Sequence, residues 1–308
     1  MAKRWCFLIS IGLVLILSCS QEEPPLKIDL TKREKVEIRK EAHFITYAYL
    51  PQYSHTVSYQ RHHLLVEYLQ KETGIKIKQI FPDTFDQHMD MVGQRKIDIS
   101  YSNPFIYVEI ARRHGAYAFS RVVEADGQRN FRGQIICRAD NAAIKTIEDC
   151  RGKRLIAVDP TSAGGYLYPL GLFLNHGLRP EDFMEIAFSP GPGGKQEKVV
   201  LAVYAGRYDV GTIREGTLDV VGDRINRNDI RIIANTPWYP GWVYAARKGL
   251  DPEVVRKIKK AMLALDYGRK AHRAILEAAD IRQIISAVDS DFEPVKQLAV
   301  QVGIRLDK

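Results

Sequence analysis

Two short stretches combine hydroxyls, small residues and turn formers in an order suited to holding an anion. The first, Asp-Pro-Thr-Ser-Ala-Gly-Gly over residues 159–165, follows the apolar run Arg-Leu-Ile-Ala-Val that ends at Val158. A strand that turns on Asp159 and Pro160 and restarts as a helix presents unpaired backbone N–H groups and a positive dipole end. Thr161 and Ser162 add hydroxyl donors, Ala163 keeps the turn small, Gly164 and Gly165 allow close backbone approach, and Tyr166 opens the helix. From these residues alone an ordinary N-cap and turn is the simpler reading. The second stretch, Tyr101-Ser102-Asn103-Pro104-Phe105, follows the strand-like Lys-Ile-Asp-Ile. Ser102 and Asn103 can donate at the start of a helix whose first turn suits Pro104, while Tyr101 by itself reads as a packed aromatic. Gln52 and Tyr53 follow Pro51 at another strand end, where a solvated loop is the plain reading.

Catalytic chemistry has little support. The chain has no Gly-x-Ser-x-Gly elbow, no His-Glu-x-x-His pair and no Gly-x-x-x-x-Gly-Lys-(Ser/Thr) loop. His62 and His63 are neighbours that a helix points to different faces. No enzyme activity and no cofactor are expected. Of the four cysteines, Cys137 and Cys150 lie thirteen residues apart without a nearby His pair, which does not match zinc spacing, so no metal is expected. In an oxidising compartment a disulfide and two buried thiols are equally open to them.

The amino terminus supplies that compartment. Lys3 and Arg4 precede an apolar run shorter than the ~18 residues that span a bilayer, which predicts a secretory signal peptide over residues 1–18. Ile16-Leu17-Ser18-Cys19 resembles a lipobox, although Leu17 is larger than usual, so Cys19 is expected to carry lipid and to anchor the chain to a membrane in the periplasm or at the cell surface. Residues 19–42, charged and Pro-containing, are expected to form the tether. Loss of Lys3 and Arg4 lowers the formal charge from +8 to +6. That mild excess suits anionic ligands, and with the basic residues scattered no nucleic-acid partner is expected.

Strand and helix patterns alternate from His43. Strands are predicted over 44–50, 75–81 and 96–102, with a helix between the first two that places Leu64, Leu65, Tyr68 and Leu69 on one face and stops at Gly74, and a second helix over 85–94. After a linking stretch the pattern repeats: strands near 133–139, 154–160, 184–190 and 208–213, and a helix over 196–206. A strand at 230–236 and an amphipathic helix near 253–267 form a return leg. The expected fold is an α/β clamshell of two lobes, each a mixed, mainly parallel sheet flanked by helices, binding ligand at facing strand ends. Residues 43–133 and 236–308 are assigned to lobe 1, and residues 134–235 to lobe 2.

The chain resembles the solute-binding proteins of phosphonate, phosphite and phosphate-type ABC transporters from about residue 44 to 265. AYLP, KIDISYSNPFIYVEIARRHGA, the block RGQIICRADNAAIKTIEDCRGKRLIAVDPTSAGGYLYP, AVYAGRYDV and TPWYPGWVYAARKGL carry the resemblance, in order. It implies a type II periplasmic binding fold, capture of a small phosphorus oxyanion and delivery to a membrane permease. It also makes Tyr101 a ligand-contacting tyrosine and tips the loop at Thr161, Ser162, Ala163 and Gly164 towards an anion cradle. A sensory lipoprotein using the same cleft for another small anion is the alternative. Three departures bear on the ligand. The hydroxyl run is sparser, Gln196 stands where many members have His with Lys195 before it, and Trp242 stands where aminoalkylphosphonate binders have Asp.

Overall fold

The computed structural model describes residues 44–304. The expected signal peptide, Cys19 and the whole of the tether lie outside the described residues. Two mixed sheets carry the fold. The first contains β1 (Phe44–Tyr49), β2 (Lys76–Ile80), β3 (Ile99–Ser102) and β4 (Tyr117–Glu124). Next in the chain come β5 (Asn130–Phe131), then β6 (Gly133–Arg138), β7 (Arg154–Ala157), β8 (Glu185–Phe188), β9 (Val210–Arg214) and β10 (Ile230–Asn235), the last five forming the second sheet. The chain returns through β11 (Tyr239–Pro240) to β12 (Val243–Ala246) and β13 (Ile281–Ser286), which rejoin the first sheet.

The strand orders are β13-β4-β12-β3-β1-β2 and β10-β6-β9-β7-β8. In each sheet three consecutive strands are parallel, β3-β1-β2 and β9-β7-β8, and the others add antiparallel. Parallel strands need crossover helices, which are α1 (His55–Thr73) and α2 (Phe85–Gly93) in the first lobe, and α4 (Tyr168–Asn175) and α5 (Lys195–Tyr204) in the second. α3 (Pro104–His114) leads from β3 to β4. The stretch read as a simple link thus contains a helix and the eight-residue β4, whose Val122 and Val123 are buried in the sheet.

Local chemistry explains the helix ends. Ser54 caps α1 by accepting from the Val57 N–H, and Gly74 ends it at φ 69°, a conformation that costs glycine nothing. The buried stripe of α1 is His62, Leu65, Val66 and Leu69, while Leu64 and Tyr68 of the predicted face are only half-buried. Thr84 caps α2 and Asn103 caps α3, with Pro104 in its first turn.

Two segments cross between lobes, and there β5 and β11 pair antiparallel, Phe131 opposite Tyr239 and Asn130 opposite Pro240. After α6 (Thr217–Val221), α7 (Pro252–Leu263) and α8 (Lys270–Ala278) comes the last helix among the described residues, α9 (Glu293–Gln301), where Leu298 lies over Gly171 of α4 and an added Cβ would meet its Cδ1 at 2.4 Å. Gln301 Nε2 donates to Asn175 Oδ1 at 3.1 Å in the same contact. α9 thus packs on the second lobe although the chain has returned to the first.

Candidate functional site

The carboxyl ends of the parallel strands and the start of β12 lie at facing edges. Register puts Tyr49, Tyr101 and Tyr244 side by side across β1, β3 and β12. Their rings pack: Tyr101 stacks on Tyr244 with centroids 4.5 Å apart, and lies 5.3 Å from Tyr49 and 5.2 Å from Trp242. His62 packs on Tyr49 and Tyr101, and its Nδ1 meets the Tyr47 hydroxyl at 2.7 Å. Burial, with the nearby Arg61, pushes the His62 imidazole down to about 3, so it is neutral at physiological pH.

Into this aromatic wall the second lobe sends Arg214, the last residue of β9. Its Nη2 lies 2.5 Å from Glu124 Oε2 at the end of β4, an ion pair that joins the lobes. Its guanidinium carbon is 5.2 Å from the Phe131 ring centre and 5.9 Å from that of Trp242. Burial alone would favour loss of its proton, but the Glu124 carboxylate beside it outweighs this and holds the guanidinium charged. Glu124 has the opposite balance: burial pushes its carboxyl above the usual range, outweighing the attraction of Arg214. A cavity of about 720 Å³ opens here, lined in part by Tyr53, Arg61, Glu124, Phe131, Arg214 and Thr217. A larger hollow of about 1110 Å³ lies at the amino ends of β1 and β2. It is at the wrong end of the strands for a ligand bound at their carboxyl edge.

The residues singled out in the sequence are placed unevenly. Tyr53 lines the cavity, with the Arg61 guanidinium 4.4 Å from its ring centre. Tyr101 and Trp242 form the aromatic wall, so Trp242 packs against the return strand and also borders the cleft. Gln52 Nε2, Ser102 Oγ, Trp242 Nε1 and Glu124 Oε1 are buried with no hydrogen-bond partner among the described residues. All four lie at the same edge of the first sheet.

The loop after β7 is used differently from the expectation. Thr161 gives its N–H and hydroxyl to Asp159 Oδ1, at 2.9 and 2.7 Å, while Lys195 pairs with Oδ2 of the same carboxylate. Both are thereby turned into the loop itself. Ser162 Oγ accepts from the Gly165 N–H at 3.2 Å, the ordinary cap. Gly164 is needed for packing, since a Cβ there would meet Phe131 Cε2 at 2.9 Å and Arg214 Cα at 3.4 Å. Ala163 is fully buried, and Tyr166 turns aside to pack edge-on against Phe188.

Gln196 is buried, and its Oε1 accepts the Arg214 N–H at 2.9 Å, which fixes the backbone of the cleft arginine. Asn103 takes the Phe105 and Ile106 N–H groups on Oδ1 and offers Nδ2 to the Thr161 carbonyl at 3.5 Å, a contact between lobes. Cys137 and Cys150 are free, fully buried thiols in the second lobe, and burial with the neighbouring Cys137 pushes the Cys150 thiol up to about 12. Sequence reasoning missed Arg214, Glu124 and Arg61. The signal for Arg214 was present, a charged residue at the carboxyl end of a parallel strand, which is where such folds place ligand contacts.

Two α/β lobes joined by paired crossing strands, with donors and aromatic rings at facing strand ends, define a type II periplasmic binding protein, the clamshell expected from the sequence. Residues 47–292 match the periplasmic substrate-binding proteins of phosphonate ABC transporters, and the chain belongs to that family. It is 27% identical over 258 residues to the phosphate-import protein PhnD of Mycolicibacterium smegmatis, covering 78% of this chain and 79% of that one. The fold is similar to a binding protein component of an ABC phosphonate transporter from Pseudomonas aeruginosa, at TM-score 0.75 and 19% identity, over 85% of this chain and 87% of that one. It is similar also to PhnD1 of Prochlorococcus marinus in complex with methylphosphonate, at TM-score 0.73 and 17% identity, over 85% of this chain and 99% of that one. The protein is thus the periplasmic solute-binding component of an ABC transporter and not an enzyme, and its partners are a small ligand and a membrane permease.

Proposed function

We propose that the cargo is a small phosphorus oxyanion, a phosphonate, phosphite or phosphate, held in the interlobe cavity. The observation that carries this reading is Arg214, a guanidinium buried where the lobes meet. A planar fork of N–H donors in a low-dielectric setting binds tetrahedral oxyanions strongly and with defined geometry. The first lobe offers Gln52, Ser102 and Trp242 as buried donors without partners among the described residues. Tyr53 and Tyr101 form the wall. On the second lobe Ser162, Ala163, Gly164 and Gln196 set the position of Arg214 and the shape of the loop beside it. Each lobe supplies only part of the donor set, so a bound anion favours the closed form.

The anchoring reading completes the picture. Cleavage before Cys19 and its lipidation leave residues 19–42 as a tether between a membrane and the lobes. Metabolic labelling with a fatty-acid analogue, lost in Cys19→Ser, tests it.

For the cargo, the chain without its signal peptide is screened by thermal shift against phosphate, phosphite, methylphosphonate, 2-aminoethylphosphonate, sulfate and carboxylates. A ligand at about 100 times its Kd adds roughly 2.7 kcal/mol, a readily measured rise in the midpoint. A shift with carboxylates alone, or with none of these compounds, sinks the reading.

A further inference from the structure

The cavity is lined by several carboxylates, Glu124, Asp126, Glu215, Asp219, Glu277 and Asp280, and Glu124 is the one that pairs with the cleft arginine Arg214, so it is the one placed to meet an anion held there. It ends β4 on the first lobe, and its Oε2 accepts from Arg214 across the cleft. Its Oε1 is buried and has no hydrogen-bond partner among the described residues. Such an acceptor is costly to leave unmet in the interior.

The charges facing Glu124 supply no second donor. Asp280, before β13, and Asp126, in the turn after β4, repel it. Arg61 is engaged with Asp280. The Tyr101 hydroxyl, which burial first and then Glu124 among its neighbours keep protonated, makes no hydrogen bond to Oε1. An anion without a proton, placed on Arg214, would meet Oε1 as a second negative charge at close range. An anion that keeps one hydroxyl would meet it as an acceptor: its charged oxygens take the guanidinium N–H groups, and its hydroxyl donates to Oε1.

We propose that Glu124 and Arg214 form a matched acceptor and donor pair that selects oxyanions bearing a P–OH group and rejects anions without a proton, such as sulfate. The proton stays on the ligand and no bond is broken. Two further features favour the arrangement. The Phe131 and Trp242 rings flank the guanidinium, and Gln196 holds the Arg214 backbone, so the donor half cannot easily swing away to follow a poorly matched anion. The inference rests on the oxyanion reading above and narrows it to the hydrogen-bearing form of the ligand.

The test is calorimetry on the chain without its signal peptide, at mildly acidic pH where the methylphosphonate monoanion is abundant. Methylphosphonate is compared with its monomethyl ester, an anion of the same charge without P–OH, and with sulfate. The expected result is binding of methylphosphonate at least tenfold tighter than either. In Glu124→Gln, with folding checked by its melting curve, that preference should narrow at least fivefold, because the amide can turn a donor towards the ligand. Equal binding of the ester or of sulfate by the wild-type protein overturns the inference, as does an unchanged preference in Glu124→Gln. Binding of 2-aminoethylphosphonate alone overturns it too, since Glu124 would then be serving an ammonium group. If Glu124→Gln does not fold, the ester comparison on the wild-type protein decides. A protein that binds sulfate and phosphorus oxyanions alike would still be an oxyanion receptor, whereas one that binds no phosphorus oxyanion fails the broader reading first.

Discussion

Replacing Arg214 with Met tests whether the ion pair between lobes governs the energetics of the cleft. The side chains of Arg214 and Glu124 are only 19% and 14% exposed, so removing the guanidinium leaves a carboxylate largely out of water. Breaking one side of a buried pair costs about 3–5 kcal/mol. Glu124 has an escape, however, because it can take up a proton. Burial already holds its carboxyl above the usual range in the presence of Arg214, and without Arg214 it rises further. Between the unfolded and folded pKa values the folded form then binds more protons, so stability is gained as pH falls through that window and lost as pH rises. Arg214→Met should lose about 3–5 kcal/mol at about pH 8 and clearly less at about pH 5.5. Arg214→Met with Glu124→Leu removes the stranded charge and should return to within about 1 kcal/mol of wild type at both pH values. Urea unfolding at the two pH values, compared through the midpoints, reads these differences. Equal losses at both pH values, or a double variant no better than the single, would refute the reasoning.

Three further outcomes are expected. Gly133→Ala puts a Cβ 2.3 Å from the Gly164 carbonyl oxygen and 3.0 Å from Pro169 Cδ, and backbone cannot rotate away as a side chain can. About 1–3 kcal/mol of stability should be lost in a thermal melt, with weaker ligand binding because the displaced loop adjoins Arg214. Ser102→Ala should leave the melting midpoint unchanged, since its buried Oγ has no partner among the described residues to lose, yet weaken the bound oxyanion by about tenfold in titration if the ligand uses that hydroxyl. Cys137 and Cys150 should resist a thiol reagent in the native state and react once urea unfolds the chain, because both are buried and the Cys150 thiol is pushed up to about 12; rapid native labelling would contradict the placement.

The fold was legible because its parallel core is written in local patterns. Ile-Lys-Ile-Lys-Gln-Ile alternates as a strand, Ser54 and Gly74 bracket α1, and strand-helix order alone implies the crossovers. The antiparallel additions were harder: β4 and β13 pair with strands far away in the chain, and their identity depends on those partners. The site was half legible. Tyr101, Tyr53 and Trp242 stand at the cleft, but Thr161 spends its donors on Asp159 two residues before it, an Asx-turn that competes with an anion for the same N–H and hydroxyl. Arg214 and Glu124, ninety residues apart, become partners only when two lobes close on one another. No local pattern encodes such a meeting.

The contact between Leu298 and Gly171 bears on how the cleft can move. Two crossing segments by themselves would let the lobes swing and twist like beads on a pair of threads. With α9 lying on α4 at a position that tolerates no side chain, and Gln301 tied to Asn175 beside it, the two lobes share a third contact in addition to the crossing segments. Any opening of the cleft has to slide across this contact or break it, which makes the α9 and α4 surface a hinge-side brake as well as a piece of core.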